Sequence, residues 1–183
     1  MKKIIFNDKY GLTEAVLQGR KTMTRRHADV RWAAGDIHDN PVPKYKVGEV
    51  LAVAQKYRDL AWDNRLYKKI KLLCPGGMPW DALKGWDNKM FIKADIMPHH
   101  IRITDVRIEQ LQNISDGDCF REGIMVHPGG SAMSDLYVFQ GRTPLENYLT
   151  PREAFAVLID KVSGNGTWRL NPWVFAYTFE LIR

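Results

Sequence analysis

Cysteine is scarce in this chain. Only Cys74 and Cys119 occur in 183 residues, and their spacing fits neither a zinc site nor a redox dithiol. They read as free thiols of a reducing compartment, which argues against a disulfide-stapled secreted domain. Long apolar runs are also missing, and none approaches the roughly 20 residues of a membrane span. The opening Met-Lys-Lys-Ile-Ile-Phe-Asn-Asp has basic residues but no apolar stretch of signal-peptide length, so no leader and a cytoplasmic location are expected. His27, His99 and His100 have no carboxylate or cysteine at ligand spacing, so neither a metal nor a cofactor is expected. The glycine pairs at 76–77 and 129–130 lack the pattern of a phosphate loop and read as turns. There is no internal repeat and no low-complexity segment.

What is present is an ordinary globular composition with a basic bias. Hydrophobic residues make up 45% and charged residues 26% of the chain, as in a soluble domain. The length suits one well-buried core and is short for two. The net charge of +6 favours a polyanionic partner. The charge is concentrated in Gly19–Arg26, Gly-Arg-Lys-Thr-Met-Thr-Arg-Arg, where four of eight side chains are cationic, two are hydroxyls and none is acidic. Five cations fall between Arg20 and Arg31 against the single acid Asp29. Guanidinium forks and an ammonium interleaved with hydroxyls suit an oxygen-rich anion or the edge of a base. Arg20, Lys21, Arg25 and Arg26 are the expected ligand contacts, with Thr22 and Thr24 fixing orientation. A solvated basic turn is the plain alternative.

Taken in order, Lys3–Asn7 suggests an opening strand. Leu12, Ala15 and Val16 share one face of a helix that Gly19 ends. Residues 28–46, with Gly35, Pro41 and Pro43, form a loop. Val47–Tyr57 holds a buried strand, Val-Leu-Ala-Val-Ala. Residues 59–89, with Trp62, Trp80 and Trp86, form an insertion packed on the core. Met90–Ala94 and His100–Leu111 read as strands. In the second, Ile101 and Ile103 are odd whereas Val106 and Ile108 are even, which predicts a bulge at Thr104–Asp105 with all four inward. Ser115 caps a short helix closed by Gly123. Residues 124–149 form a second insertion. Thr150-Pro-Arg-Glu starts a helix carrying Phe155, Leu158, Ile159 and Val162 on one face up to Gly164. The final strand alternates Trp173, Phe175, Tyr177, Phe179 and Leu181. The sum is a single α+β domain with mixed strands, about three short helices and a small curved or closed sheet.

One constellation has the makings of an active site. A threonine hydroxyl attacks only if a base takes its proton, and a lysine serves as that base when burial or neighbouring cations lower its pKa. Lys21 and Thr24 supply these groups, and Glu122 is the carboxylate that would position the lysine or move a proton to a leaving amine. In a regular strand, residues three apart point to opposite faces, so Lys21 and Thr24 meet only if the junction turns. Trp173, after Asn171-Pro172, offers a stacking face for a base, although its register also suits the core.

The order of these segments resembles the activating-signal-cointegrator homology (ASCH) domain of the PUA-like superfamily, most closely its phage and prophage form. The resemblance rests on Gly-Arg-Lys-Thr-Met-Thr-Arg-Arg, Lys-Val-Gly-Glu-Val-Leu-Ala-Val-Ala, the Arg102–Leu111 strand, the Ile-Ser-Asp to Arg-Glu-Gly-Ile helix and the Asn-Pro-Trp-Val strand. It covers about residues 3–58, 90–124 and 150–183 and omits both insertions. It implies a small PUA-like β-barrel that binds RNA, a nucleotide or a nucleoside in a basic cleft. It also implies, as an alternative, an amidohydrolase acting on N4-acylated cytidine, with Lys21, Thr24 and, by its place in the Arg-Glu-Gly turn, Glu122 as catalytic residues. A protein-interaction module using the tryptophan-rich insertion is the third reading.

Overall fold

The helical pattern after Asp8 becomes α1, Leu12–Leu17, with Leu12, Ala15 and Val16 buried on one side. It stops at Gly19, whose φ of 74° lies in the left-handed region that glycine enters without a Cβ clash. This is a computed structural model, and it describes residues 1–28, 41–127, 135–141 and 146–182. Asp29, Arg31, Gly35 and the 129–130 glycine pair lie outside the described residues.

The architecture is α+β. The strands are β1 (Lys2–Ile4), β2 (Met23–His27), β3 (Val50–Val53), β4 (His100–Gln110), β5 (Met125–His127), β6 (Leu136–Val138) and β7 (Trp173–Ile182). Five of them form a mixed sheet in the order β1-β3-β4-β7-β2, and β5 pairs with β6 separately. The chain clusters into two compact units, one comprising Met1–Phe6, Val50–Arg102 and the last residues, the other Asn7–Glu49 and Ile103–Glu180.

In the first unit, β1 runs parallel to β3, with Ile4 opposite Val53, and β3 runs antiparallel to the start of β4, with Leu51 opposite Ile101. After β3 come α2 (Tyr57–Leu60) and α3 (Asn64–Lys71), the latter capped by the Asp63 side chain, which accepts from the Arg65 and Leu66 amides. Tyr57, Leu60 and Ile70 from these helices bury against Ala52 and Ala54. Trp80 and Trp86 pack on the same cluster, so the expected insertion supplies much of the core around β3. Gly85 is required there, because a Cβ at this position would stand 2.3 Å from the Tyr57 ring.

The strand expected at Met90–Ala94 is instead a pair of 3-10 turns, Lys89–Phe91 and Ala94–Ile96. The Asn88 side chain accepts from the Met90 amide at 2.9 Å and starts the first turn. Ile92 and Ile96, four apart and both buried, follow a turn-like period rather than strand alternation.

The second unit holds the expected helices α4 (Asp116–Arg121) and α5 (Pro151–Ser163). The Ser115 hydroxyl accepts from the Asp118 amide at 3.1 Å and the Thr150 hydroxyl from the Glu153 amide at 3.1 Å. A sixth helix, α6 (Thr167–Leu170), was not anticipated. Neither was β2: the second half of the basic stretch is a strand, antiparallel to β7, with Thr24 opposite Tyr177 and Arg25 opposite Ala176. In β7, Val174 and Ala176 are buried as well as Phe175, Tyr177 and Phe179, so this strand is covered on both faces along its middle.

The expectation that Ile101, Ile103, Val106 and Ile108 all face inward is corrected. The strand is unbroken from His100 to Gln110, and Ile108 is 45% exposed. Odd residues begin as buried Ile101 and Ile103 and continue as Arg107 and Glu109, which enter an ion cluster described below.

Candidate functional site

The basic stretch, β4 and α4 converge in the second unit. Lys21, just ahead of β2, is 2% exposed, and its Nζ donates to Glu122 Oε2 at 2.5 Å and to the Glu122 carbonyl at 2.8 Å. Glu122 is the C-cap of α4 and is 5% exposed. Its other oxygen, Oε1, accepts from Arg25 Nη1 at 3.1 Å. One buried carboxylate thus receives an ammonium and a guanidinium.

Arg25 goes further. Its Nε and Nη2 donate to Glu109 Oε1 at 3.0 and 2.6 Å, and Nη2 also reaches Asp118 Oδ2 at 3.0 Å. Asp118 is shared with Arg107 Nη2 at 2.9 Å and Arg121 Nη1 at 3.3 Å. The planar guanidinium can serve three carboxylates because its five donors point in fixed, divergent directions. No acid lies within Gly19–Arg26; the acids arrive from β4 and α4.

Burial and charge set the protonation tendencies. Lys21 is pushed down from the ordinary lysine value by burial, partly offset by Glu122, with Arg26 and Arg25 pushing the same way as burial. For Arg25, burial acts downward, but the charges of Glu122 and Glu109 outweigh it and hold the group above its usual value. Burial also opposes ionisation of Asp118, yet hydrogen bonds from Arg25 and Arg107 hold it below the ordinary aspartate value. Arg26 is lowered by burial, against the opposing influence of Tyr45, Glu122 and Tyr177.

The remaining expected residues have distinct placements. Thr24 is 5% exposed on β2 and makes no hydrogen bond to Lys21 or Glu122. The structure therefore joins Lys21 with Glu122 but does not bond Thr24 to either. The Thr22 amide donates to the Arg121 carbonyl at 2.9 Å, and its carbonyl accepts from the Phe179 amide at 2.9 Å, tying the end of α4 to β7. Arg20 is exposed, with Nε on Gln18 Oε1 at 2.8 Å. Trp173 is 37% exposed at the start of β7. Among the described residues no group of three or more His, Cys, Asp or Glu side chains is placed to hold a metal ion.

Sequence reasoning missed Glu109, Asp118, Arg107 and Arg121 as members of this centre. Asp118 was visible only as the third residue after the Ser115 cap. Glu109 and Arg107 are two apart in β4, the spacing that puts both on one face of a strand.

No family model matches the chain, and no curated protein matches it. Among solved structures, the chain is similar to the crystal structure of an Enterococcus faecalis protein described by the family model DUF984, at 14% identity and a TM-score of 0.43, covering 100% of this chain and 81% of that one. No helix among the described residues is long and apolar enough to cross a membrane.

Proposed function

We propose that the chain is an ASCH-like protein of PUA-like barrel type that hydrolyses the exocyclic amide of an N4-acylated cytosine nucleoside, with Lys21, Thr24 and Glu122 as its catalytic residues. The observation that carries this reading is the buried contact of Lys21 Nζ with Glu122 Oε2 at 2.5 Å. Buried ion pairs are expensive to desolvate and contribute little net stability, and a buried lysine lowered from its ordinary value is suited to accept a proton. Thr24 supports the role of nucleophile, because its hydroxyl is not consumed by a bond to another described residue.

In the reaction, Lys21 Nζ gives its proton to Glu122 Oε2, and the freed amine takes the Thr24 proton as Oγ1 bonds to the amide carbon. The carbon–nitrogen bond then breaks as Glu122 gives its proton to the departing exocyclic amine. Water cleaves the resulting threonine ester, releasing the carboxylic acid and restoring the hydroxyl. Arg25 holds Glu122 from its other side.

The test is turnover of N4-acetylcytidine by the purified protein. Thr24→Ala and Lys21→Met should each abolish it with the circular dichroism unchanged, and combining them should cost little more than either alone. Turnover that survives Thr24→Ala would overturn the mechanism. A second reading, binding of an RNA or nucleotide phosphate, is favoured by exposed Arg20 and by the net charge of +6. It predicts salt-dependent RNA binding without turnover, weakened by Arg20→Ala. Arg25 contributes little to that reading, since three carboxylates already engage it.

A further inference from the structure

The insertion carries a second concentration of positive charge. Between Asn64 and Cys74 there are four cations and no acid. Helix α3 turns Ile70 and Leu66 into the core of its unit, which leaves Arg65, Lys68, Lys69 and Lys71 exposed. Among the described residues none of these four side chains makes an ion pair. Lysines in a last helical turn complement the helix dipole, and that accounts for their sign but not for what lies beside them.

Lys68 and Lys71 border a cavity of about 620 Å³, whose other walls include Leu72, Cys74, Met78 and Trp80. This size falls within the roughly 300–1,000 Å³ of small-molecule sites. Trp80 is held in orientation. It stacks on Tyr67 with centroids 4.5 Å apart and planes at 29°, and meets Trp86 edge-on at 5.9 Å. A rim with two unneutralised ammonium groups beside a fixed indole and a thioether matches an anion joined to a flat apolar body.

We propose that this cavity binds a nucleotide unit, with its phosphate at Lys68 and Lys71 and its base against Trp80 and Met78. Stacking on an aromatic side chain tolerates any base, and ammonium groups follow the phosphate. A lipid surface fits less well, because the apolar side of α3 is already committed to the core and only its charged side faces outward. The site uses none of Lys21, Thr24 or Glu122, so it stands or falls separately from the proposed hydrolysis.

Cys74 provides the readout. It is half-buried in the cavity wall, whereas the chain's other thiol, Cys119, is buried and pushed up to about 12, by burial first and Asp116 second. Maleimide alkylation near neutral pH therefore reports Cys74 alone. Uridine monophosphate or a short oligouridylate should slow that reaction several-fold in the full chain. Protection by the mononucleotide identifies a free nucleotide as sufficient, and protection by the oligonucleotide alone identifies a single strand. In a Lys68→Ala, Lys71→Ala double variant the protection should disappear, and the log–log salt slope for the oligonucleotide should fall by about 1.4. N4-acetylcytidine turnover should be unchanged in that variant, and Cys74 protection unchanged by Lys21→Met. The proposal is overturned if neither nucleotide protects Cys74, or if the double variant is protected as well as the parent. Equal protection by inorganic phosphate, or by phosphatidylserine vesicles in place of nucleotides, also overturns it.

Discussion

Two stretches of this chain carry the same charge and meet opposite fates. Gly19–Arg26 and Asn64–Cys74 each hold four cations and no acid. In the first, Lys21 and Arg25 are 2% and 6% exposed and are bound by Glu109, Asp118 and Glu122. In the second, all four cations face solvent without a carboxylate among the described residues. The difference lies in the second layer. Helix α4 covers β2 and brings Asp118 and Glu122 with it, while α3 spends its one apolar face on its own unit and keeps its cations outside. Local charge density says how much anion a segment can attract; the packing decides whether that anion is part of the protein.

The sharpest break in the comparison is removal of the carboxylate at the centre of the first cluster. Glu122→Ala leaves Lys21 and Arg25 buried beside an empty acceptor and should cost about 3–5 kcal/mol in urea unfolding. The paired change Lys21→Met with Glu122→Leu should recover most of that loss, because an apolar pair of similar size avoids the desolvation cost. If the double variant is as unstable as the single one, the pair is a structural strut rather than a retained chemical group.

Arg25→Lys tests whether the cluster needs a fork or only a charge. A single ammonium cannot reach Glu109, Asp118 and Glu122 together, so a loss of about 1.5–3 kcal/mol is expected. An unchanged urea midpoint would mean that the guanidinium geometry is unimportant.

A smaller effect concerns acid. Asp118 is held below its ordinary value in the folded state, so its contribution is fully present above the unfolded value and is lost as pH falls through the folded one. Stability should fall as pH drops below about 3.9, the usual aspartate value, and Asp118→Asn should make that acid limb shallower. A steeper limb in the variant would reverse the assignment.

The smallest effect completes the contrast. Lys68→Ala should change stability by no more than about 0.5 kcal/mol, as for other exposed residues outside special features. A loss comparable to that of Arg25→Lys would show that the basic rim of α3 is tied into the fold.

Much of this protein is legible in its local sequence, because caps and glycines act over a few residues. Ser115 with Asp118, Thr150 with Glu153, and Gly19 behind Leu12, Ala15 and Val16 locate three helices from spacing alone. The α+β class follows from those helices together with the alternating final strand. The basic stretch stands out in the sequence by its charge, and Lys21 and Glu122, set together there as candidates, are in contact in the fold though they lie 101 residues apart.

The tertiary structure decided what short-range patterns do not encode. Met90–Ala94 has the composition of a strand, but Asn88 turns the backbone at Met90 and buries Ile92 and Ile96 on a turn-like period. In β4, buried Ile101 and Ile103 are followed by Arg107 and Glu109, whose partners Asp118 and Arg25 come from other elements, and Ile108 faces solvent instead of the core. Whether a lysine or arginine is solvated, paired or buried depends on carboxylates that folding delivers from distant segments. Ion pairing acts through space at a few ångströms, whereas the sequence orders residues only along the chain.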